Sequence, residues 1–280
     1  MQERPEPTAL PEPLLSHLLP DLLQRGNLLL CLDYDGTLSE ITSKPEEAHP
    51  VPGIADSLLV LSQSGSRIEI AIISGRELGT LRKLLGLPFE AWLIGTHGLE
   101  MIDRAGQRML APGASDCAGE LECLRRWIDK ELHARSGFVI EDKELAIAIH
   151  YRLAAPSAAT SVRRELRQFV ERHCPRLRII PGKMVDEFVP RDIGGKGYAV
   201  RWLVSAIAKK PASIVYFGDD TTDEDAFFEL RDRGVTVLVG PCRRSWARYC
   251  VAGPSVVAGL LRELAIRFET SPSKANSARS

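Results

Sequence analysis

Carboxylates gather at two points in the sequence where an apolar run has just ended. The run Leu28–Leu32 stops at Asp33-Tyr34-Asp35-Gly36-Thr37, and Ile214–Phe217 stops at Gly218-Asp219-Asp220-Thr221-Thr222-Asp223-Glu224. Brought together in low dielectric, such acids repel one another unless a cation neutralises them. The set offers oxygen donors only, with no His/Cys group nearby. That is the ligand chemistry of Mg2+, which takes one or two protein carboxylates and keeps the rest of its shell for water and substrate phosphate. Asp and Thr also cap helices, and Thr222 or Asp223 alone can be read that way. An Asp33/Asp35 pair directly after a buried strand is poorly explained by capping.

The elements that must position these acids are legible from hydrophobic pattern. Short apolar runs at Leu28–Leu32, Ile68–Ile73, Ala91–Ile94, Ile214–Phe217 and Val235–Val239 read as buried parallel strands. Between them, Ile54–Leu61, Leu78–Leu85, Tyr198–Ala208 and Asp225–Arg231 have helical spacing, so the expected fold is α/β, a doubly wound parallel sheet. Ligands of such sheets sit beyond the carboxyl ends of the strands, where Asp33, Ser74, Arg76 and Asp219 all fall. About 120 residues separate Ser74 from Lys196, and roughly Met101–Pro190 has a different rhythm. We therefore expect a core built from residues 1–100 and 191–280, with an α+β cap domain inserted at 101–190. Within the insertion, a hairpin is expected from Leu99–Ile102 and Arg108–Leu110. Helices are expected at Leu121–Leu132 and Ser161–His173, and strands at Phe138–Ile140, Leu145–Tyr151, Leu177–Ile180 and Met184–Val189.

In their order, Asp33-Tyr34-Asp35-Gly36-Thr37, Ser74, Lys196 and Gly218–Glu224 resemble the four motifs of the haloacid dehalogenase (HAD) superfamily phosphatases, whose core is Rossmann-like. The residues suit that chemistry. A phosphate monoester needs an in-line nucleophile, neutralisation of its oxygens and a proton for the departing alkoxide. Asp33 suits the nucleophile and Asp35 the acid that later becomes the base for water, while Ser74 and Lys196 hold phosphoryl oxygens. Gly194 and Gly195 allow close backbone approach at the helix start. The family pattern implies that Mg2+ is held by the Asp33 side chain, the Asp35 backbone carbonyl and Asp219, with Asp220 and Asp223 as outer or water-mediated partners.

Strings in and around the insertion resemble trehalose-6-phosphate phosphatases: Gly95–Glu100, Glu141-Asp142-Lys143, His150-Tyr151-Arg152 and Gly182–Glu187. That resemblance implies hydrolysis of trehalose 6-phosphate, with specificity in the cap. Lys183 and Glu187 stand four apart on an expected strand, hence on one face, where one donates and the other accepts hydrogen bonds from sugar hydroxyls. Glu141 and Lys143 belong to the same set, and Arg76, His97 and Glu100 lie nearer the seam. The alternative for Lys183/Glu187 is a surface ion pair, and for His150 a satisfied buried histidine. The family usually has a basic residue where Val189 stands and an acidic or polar one at Gly195. Another sugar phosphate or a glycosyl-glycerate phosphate is thus the alternative substrate, and a non-catalytic sugar-phosphate sensor the alternative class.

Composition narrows the partners. The 280 residues carry 36 Lys+Arg against 37 Asp+Glu, a formal charge of −1, with no long basic block. Wholesale attraction to nucleic acid is not expected. Pro20, Asp21, Arg25 and Asp33 interrupt the Leu-rich stretch Leu14–Leu32, so we expect a short helix and then a strand, not a membrane segment or signal. The six cysteines lack zinc-site spacing and the density of a disulfide scaffold, and a reducing cytoplasm is the simplest home. The ends, residues 1–13 and 271–280, are expected to be loose.

Overall fold

The structure is a computed structural model and describes residues 4–9, 21–22, 24–42, 44–86, 90–182 and 184–270. The expected loose ends and most of the Leu14–Leu23 segment lie largely outside that range, as does Lys183. The chain starts with β1 (Thr8–Ala9), β2 (Leu28–Leu32), α1 (Ile54–Ser62), β3 (Ile68–Ile73), α2 (Leu78–Leu85), β4 (Trp92–Gly95), β5 (Glu100–Ile102) and β6 (Arg108–Leu110). It continues with α3 (Ala118–Glu131), β7 (Val139–Asp142), β8 (Ile147–His150), α4 (Pro156–His173), β9 (Leu177–Gly182) and β10 (Val185–Pro190). It closes with α5 (Lys196–Ala206), β11 (Ser213–Gly218), α6 (Glu224–Leu230), β12 (Val235–Val239), β13 (Tyr249–Val251) and α7 (Pro254–Thr270).

Two compact units result: Met1–Met109 with Gly195–Ser280, and Leu110–Gly194. The first holds a nine-stranded sheet in the order β1-β13-β12-β11-β2-β3-β4-β5-β6, with every pairing from β1 to β4 parallel. All five β2 side chains are buried, because both sheet faces are covered. Leu28, Leu30 and Leu32 enter one core with Leu58 and Leu61 of α1, Leu81 of α2 and Leu261 of α7, whereas Leu29 and Cys31 enter another with Val200 and Leu203 of α5 and Phe227 of α6. This alternation follows from the two-residue period of a strand. In α2, Leu78, Leu81, Leu84 and Leu85 form the buried stripe, and Gly86 ends the helix in the left-handed region at φ 55°.

The hairpin expected inside the insertion belongs instead to the core sheet. β5 pairs antiparallel with β4, Ile94 opposite Met101 and Leu93 opposite Ile102, because the short Thr96–Leu99 connection turns the chain straight back onto the free edge of β4. Met101 is fully buried there beside Ile73 and Ile94. Burial of apolar surface against an existing core outweighs whatever the pair would gain in a separate unit.

The inserted unit is a four-stranded antiparallel sheet, order β7-β8-β10-β9, backed by α3 and α4. Leu121, Leu124 and Ile128 of α3 pack with Val162, Leu166 and Val170 of α4 on Ile147, Ile149 and Phe188. The helix α4 begins five residues before its expected start; Pro156 occupies the first turn, where its missing N–H is harmless, and that turn adds little apolar periodicity. One pair of cysteines, Cys242 and Cys250, is joined as a disulfide, while Cys31, Cys117, Cys123 and Cys174 are free. Their eight-residue separation did not announce that bond.

Candidate active site

β2 is where chain order reverses across the sheet, with β3 and β4 to one side and β11 and β12 to the other. A crevice forms beyond such a strand. Asp33 sits at this point, its backbone N–H donating to the Phe217 carbonyl of β11 at 2.9 Å. Its Oδ1 accepts a hydrogen bond from Lys196 Nζ at 2.5 Å, and the same ammonium reaches Asp223 Oδ1 at 2.7 Å. Lys196 opens α5 after Gly194 and Gly195, both in the left-handed half of backbone space at φ 83° and 89°. The ammonium is buried, which by itself favours its neutral form, but Asp223 and Asp33 hold it firmly as a cation.

Asp33, Asp219 and Asp223 each present a carboxylate oxygen within 4.8 Å of the others. Gly36, at φ 79°, lets this happen: a side chain there would run into the Asp219 carboxylate. Burial pushes the Asp33 carboxyl well above its usual range, with Lys196 opposing and Asp223 and Asp219 reinforcing the shift. Burial, then Asp223, pushes Asp219 up to about 7. Asp33 Oδ2 is buried with no hydrogen-bond partner. An unpartnered carboxyl oxygen in a cluster of three buried or half-buried acids is what a hard divalent cation would satisfy, so this donor set fits Mg2+.

Asp220 behaves differently from the trio. It is exposed, and its Oδ1 accepts from Thr221 N–H at 2.6 Å as an N-cap. Asp223 closes the reciprocal capping box by accepting from Asp220 N–H at 3.0 Å, so capping and cluster membership coincide in one residue.

Ser74 is buried after β3, its N–H donating to Ile94 O and its Oγ accepting from Arg76 N–H at 3.1 Å. Arg76, expected near the sugar, grips Asp35 with Nε to Oδ2 at 2.7 Å and a terminal nitrogen to Oδ1 at 2.6 Å. Glu100 is buried, and its carboxylate accepts from Thr96 Oγ1 at 2.8 Å, Leu78 N–H at 3.3 Å and Arg108 at 2.8 and 3.0 Å. His97 lies against Gly75, which has no side chain to obstruct the ring. Thr96 and His97 both take left-handed backbone at φ 46° and 53°. Strain of this kind is held only where the surroundings over-determine it, and here His97 N–H bonds Ser74 O at 3.2 Å while His97 O accepts from Gly195 N–H at 2.5 Å. The turn thus links the Ser74 and Lys196 segments.

Three residues of this site were not singled out by sequence. Tyr216 donates its hydroxyl to Asp223 Oδ1 at 2.7 Å, yet inside an apolar run it reads as a core aromatic. Arg243 donates to the Asp219 carbonyl at 2.8 Å and to Glu224 Oε1 at 3.0 Å. Glu224, whose Oε2 also accepts from Trp246 N–H, carried no local signal beyond its place in the acidic string.

In the inserted unit, Lys143 donates to Glu187 Oε1 at 2.6 Å, both side chains being largely buried, and His150 Nε2 lies 3.1 Å from Glu141 Oε2. The hydrogen bond with His150 holds the Glu141 carboxyl below its usual range. Lys143 is thus one partner of Glu187. Lys183 lies outside the described residues, and β10 begins at Val185, one residue after the expected Met184.

Acids and a lysine thus gather past the switch-point strand of a doubly wound sheet. A haloacid dehalogenase-like hydrolase from B. subtilis has the same fold at TM-score 0.56 and 16% identity, over 84% of this chain and 99% of that one. Closer likenesses narrow the class. The sequence profile of the family described as trehalose-phosphatase matches residues 31–255. The trehalose-phosphate phosphatase of Mycobacterium tuberculosis (strain H37Rv) is 31% identical over 273 residues, 95% of this chain and 68% of that protein. The C-terminal domain of C. albicans trehalose-6-phosphate phosphatase superposes with TM-score 0.77 at 27% identity, covering 94% of this chain and 99% of that domain. The chain belongs to the trehalose-phosphatase family.

Proposed function

We propose that the protein hydrolyses trehalose 6-phosphate to trehalose and phosphate with Mg2+, through a phosphoryl group carried on Asp33. The observation that carries this reading is the Asp33 carboxylate itself, one oxygen on Lys196 and the other buried without a partner beside Asp219 and Asp223. The named activities of the relatives supply the substrate.

Asp33 attacks phosphorus and the bond to the sugar oxygen breaks, while Asp35 gives that oxygen its proton. Asp35 then takes a proton from water as the water oxygen attacks phosphorus, which frees phosphate and restores the Asp33 carboxylate. Lys196 and the Ser74 hydroxyl hold phosphoryl oxygens through both halves. Mg2+, held by Asp33, Asp219 and Asp223 and by the Asp35 backbone carbonyl, would offset the negative charge of the phosphoryl group and of the acids. In the inserted unit, Glu141, Lys143 and Glu187 supply directional bonds to sugar hydroxyls. A second reading, another sugar phosphate ester, draws on Val189, a buried apolar side chain where the resemblance has a basic one.

Specificity constants over a panel of sugar phosphates, with Asp33→Asn as control, test both. Trehalose 6-phosphate is expected to lead, and Asp33→Asn to abolish phosphate release while substrate still binds. Preference for a monosaccharide ester would favour the second reading, and full Mg2+-dependent turnover by Asp33→Asn would remove the nucleophile.

A further inference from the structure

Asp35 follows the end of β2 on a turn, and its carboxyl is the more exposed partner of its ion pair, 41% against 13% for Arg76. A side chain so placed is only partly covered and takes its direction from a partner. Arg76 is that partner. Both nitrogens of the fork engage both carboxylate oxygens, at 2.6 and 2.7 Å, a geometry that sets the plane of the carboxyl as well as its distance. Arg76 is itself pinned: its N–H bonds Ser74 Oγ at 3.1 Å, its carbonyl accepts from Thr96 N–H at 2.8 Å, and its guanidinium lies 5.5 Å from the centre of the buried Tyr34 ring. The anchor runs from the core through Arg76 to Asp35. One lone pair on each Asp35 oxygen remains after the fork is made, and these are the sites through which a proton can pass.

We propose that Arg76 is a positioning residue for Asp35, setting the direction in which that carboxyl meets the sugar oxygen and then the water, and is not a contact to the sugar. The inference rests on the reading of Asp35 as the proton-transfer group and extends it. Lysine could not substitute for the fork, because a point charge fixes distance without orientation.

The test compares wild type, Arg76→Met, Arg76→Lys, Asp35→Asn and the Arg76→Met/Asp35→Asn double variant, with thermal melts to verify folding. Trehalose 6-phosphate has a poor leaving group that needs the proton, whereas p-nitrophenyl phosphate has one that leaves without it. For Arg76→Met we expect kcat on trehalose 6-phosphate to fall on the order of 100-fold, the scale of a small misplacement, with KM within about threefold. The pre-steady-state burst of p-nitrophenolate should keep its rate within about threefold while steady-state turnover falls, since the later attack by water still needs Asp35. Arg76→Lys should resemble Arg76→Met, and the double variant should be no slower than Asp35→Asn.

A rise in KM for trehalose 6-phosphate with kcat unchanged would make Arg76 a sugar contact and overturn the proposal. Equal loss of burst and steady-state rates would reduce it to a structural brace, and additive losses in the double variant would separate it from Asp35. If Asp35→Asn lost activity normally, those results would sink the positioning role alone. Wild-type turnover by Asp35→Asn would instead sink the proton-transfer reading and this proposal with it.

Discussion

Tyr216 places its hydroxyl 2.7 Å from Asp223 Oδ1, so a side chain that looks like core packing in β11 reaches the carboxylate that also binds Lys196. Both residues are fully buried. Removing only that oxygen with Tyr216→Phe leaves Asp223 one donor short. A hydrogen bond to a buried charged group contributes about 1.5–3 kcal/mol, so the melting temperature should drop by several degrees. Because Asp223 helps place Lys196, kcat should fall with little change in KM. Unchanged stability and turnover would show that the bond has no consequence.

The acidic cluster makes metal-free stability depend on pH. The folded Asp219 carboxyl titrates at about 7, above the ordinary carboxylate value near 4, so its favourable contribution is complete below about pH 4 and is lost as pH rises toward 7. Asp33 shifts in the same direction. In chelator, Asp219→Asn should therefore gain melting temperature relative to wild type as pH goes from 5 to 8. Added Mg2+ should raise the wild-type midpoint more at pH 8 than at pH 5, and a stabilisation independent of pH would count against the trio as its site.

In the inserted unit, the Lys143–Glu187 pair offers a handle on selectivity. Glu187→Gln keeps the shape and removes the charge. We expect kcat/KM for trehalose 6-phosphate to fall about 10–100-fold, as when one polar partner of a sugar hydroxyl is mismatched, with p-nitrophenyl phosphate changed less than about threefold. Equal losses on both substrates would take Glu187 out of sugar recognition.

The Cys242–Cys250 disulfide closes a short loop that carries Arg243, the donor to the Asp219 carbonyl. Closing a loop of this size stabilises by about 2–3 kcal/mol in the chain-entropy view. A Cys242→Ser/Cys250→Ser variant should melt several degrees lower than the oxidised protein, and wild type in excess reductant should match it. Mass spectrometry under denaturing alkylation should count four reactive thiols before reduction and six after.

Much of this was written in the chain. β2, β3 and β12 have the bounds their apolar runs give, and α2 spans Leu78–Leu85 as its stripe of leucines requires. Asp33 and Asp219 could be paired from sequence because both follow buried strands of one parallel sheet, and parallel strands present their carboxyl ends at one edge. The placement of Glu100, Arg76 and the β5–β6 hairpin was not legible. Each depends on which neighbour a long side chain or a short connection meets across the fold.

Local pattern therefore determined the elements, the edge at which the acids meet and the chemistry they can perform, since hydrophobic period and residue type act within a few residues. Tertiary structure alone decided that Arg76 faces Asp35 across 41 residues, that Lys196 bridges Asp33 and Asp223, and that Glu187 finds Lys143. Such pairings are set by distances of a few ångströms between segments far apart in the chain, and no periodicity in one segment encodes where another will lie.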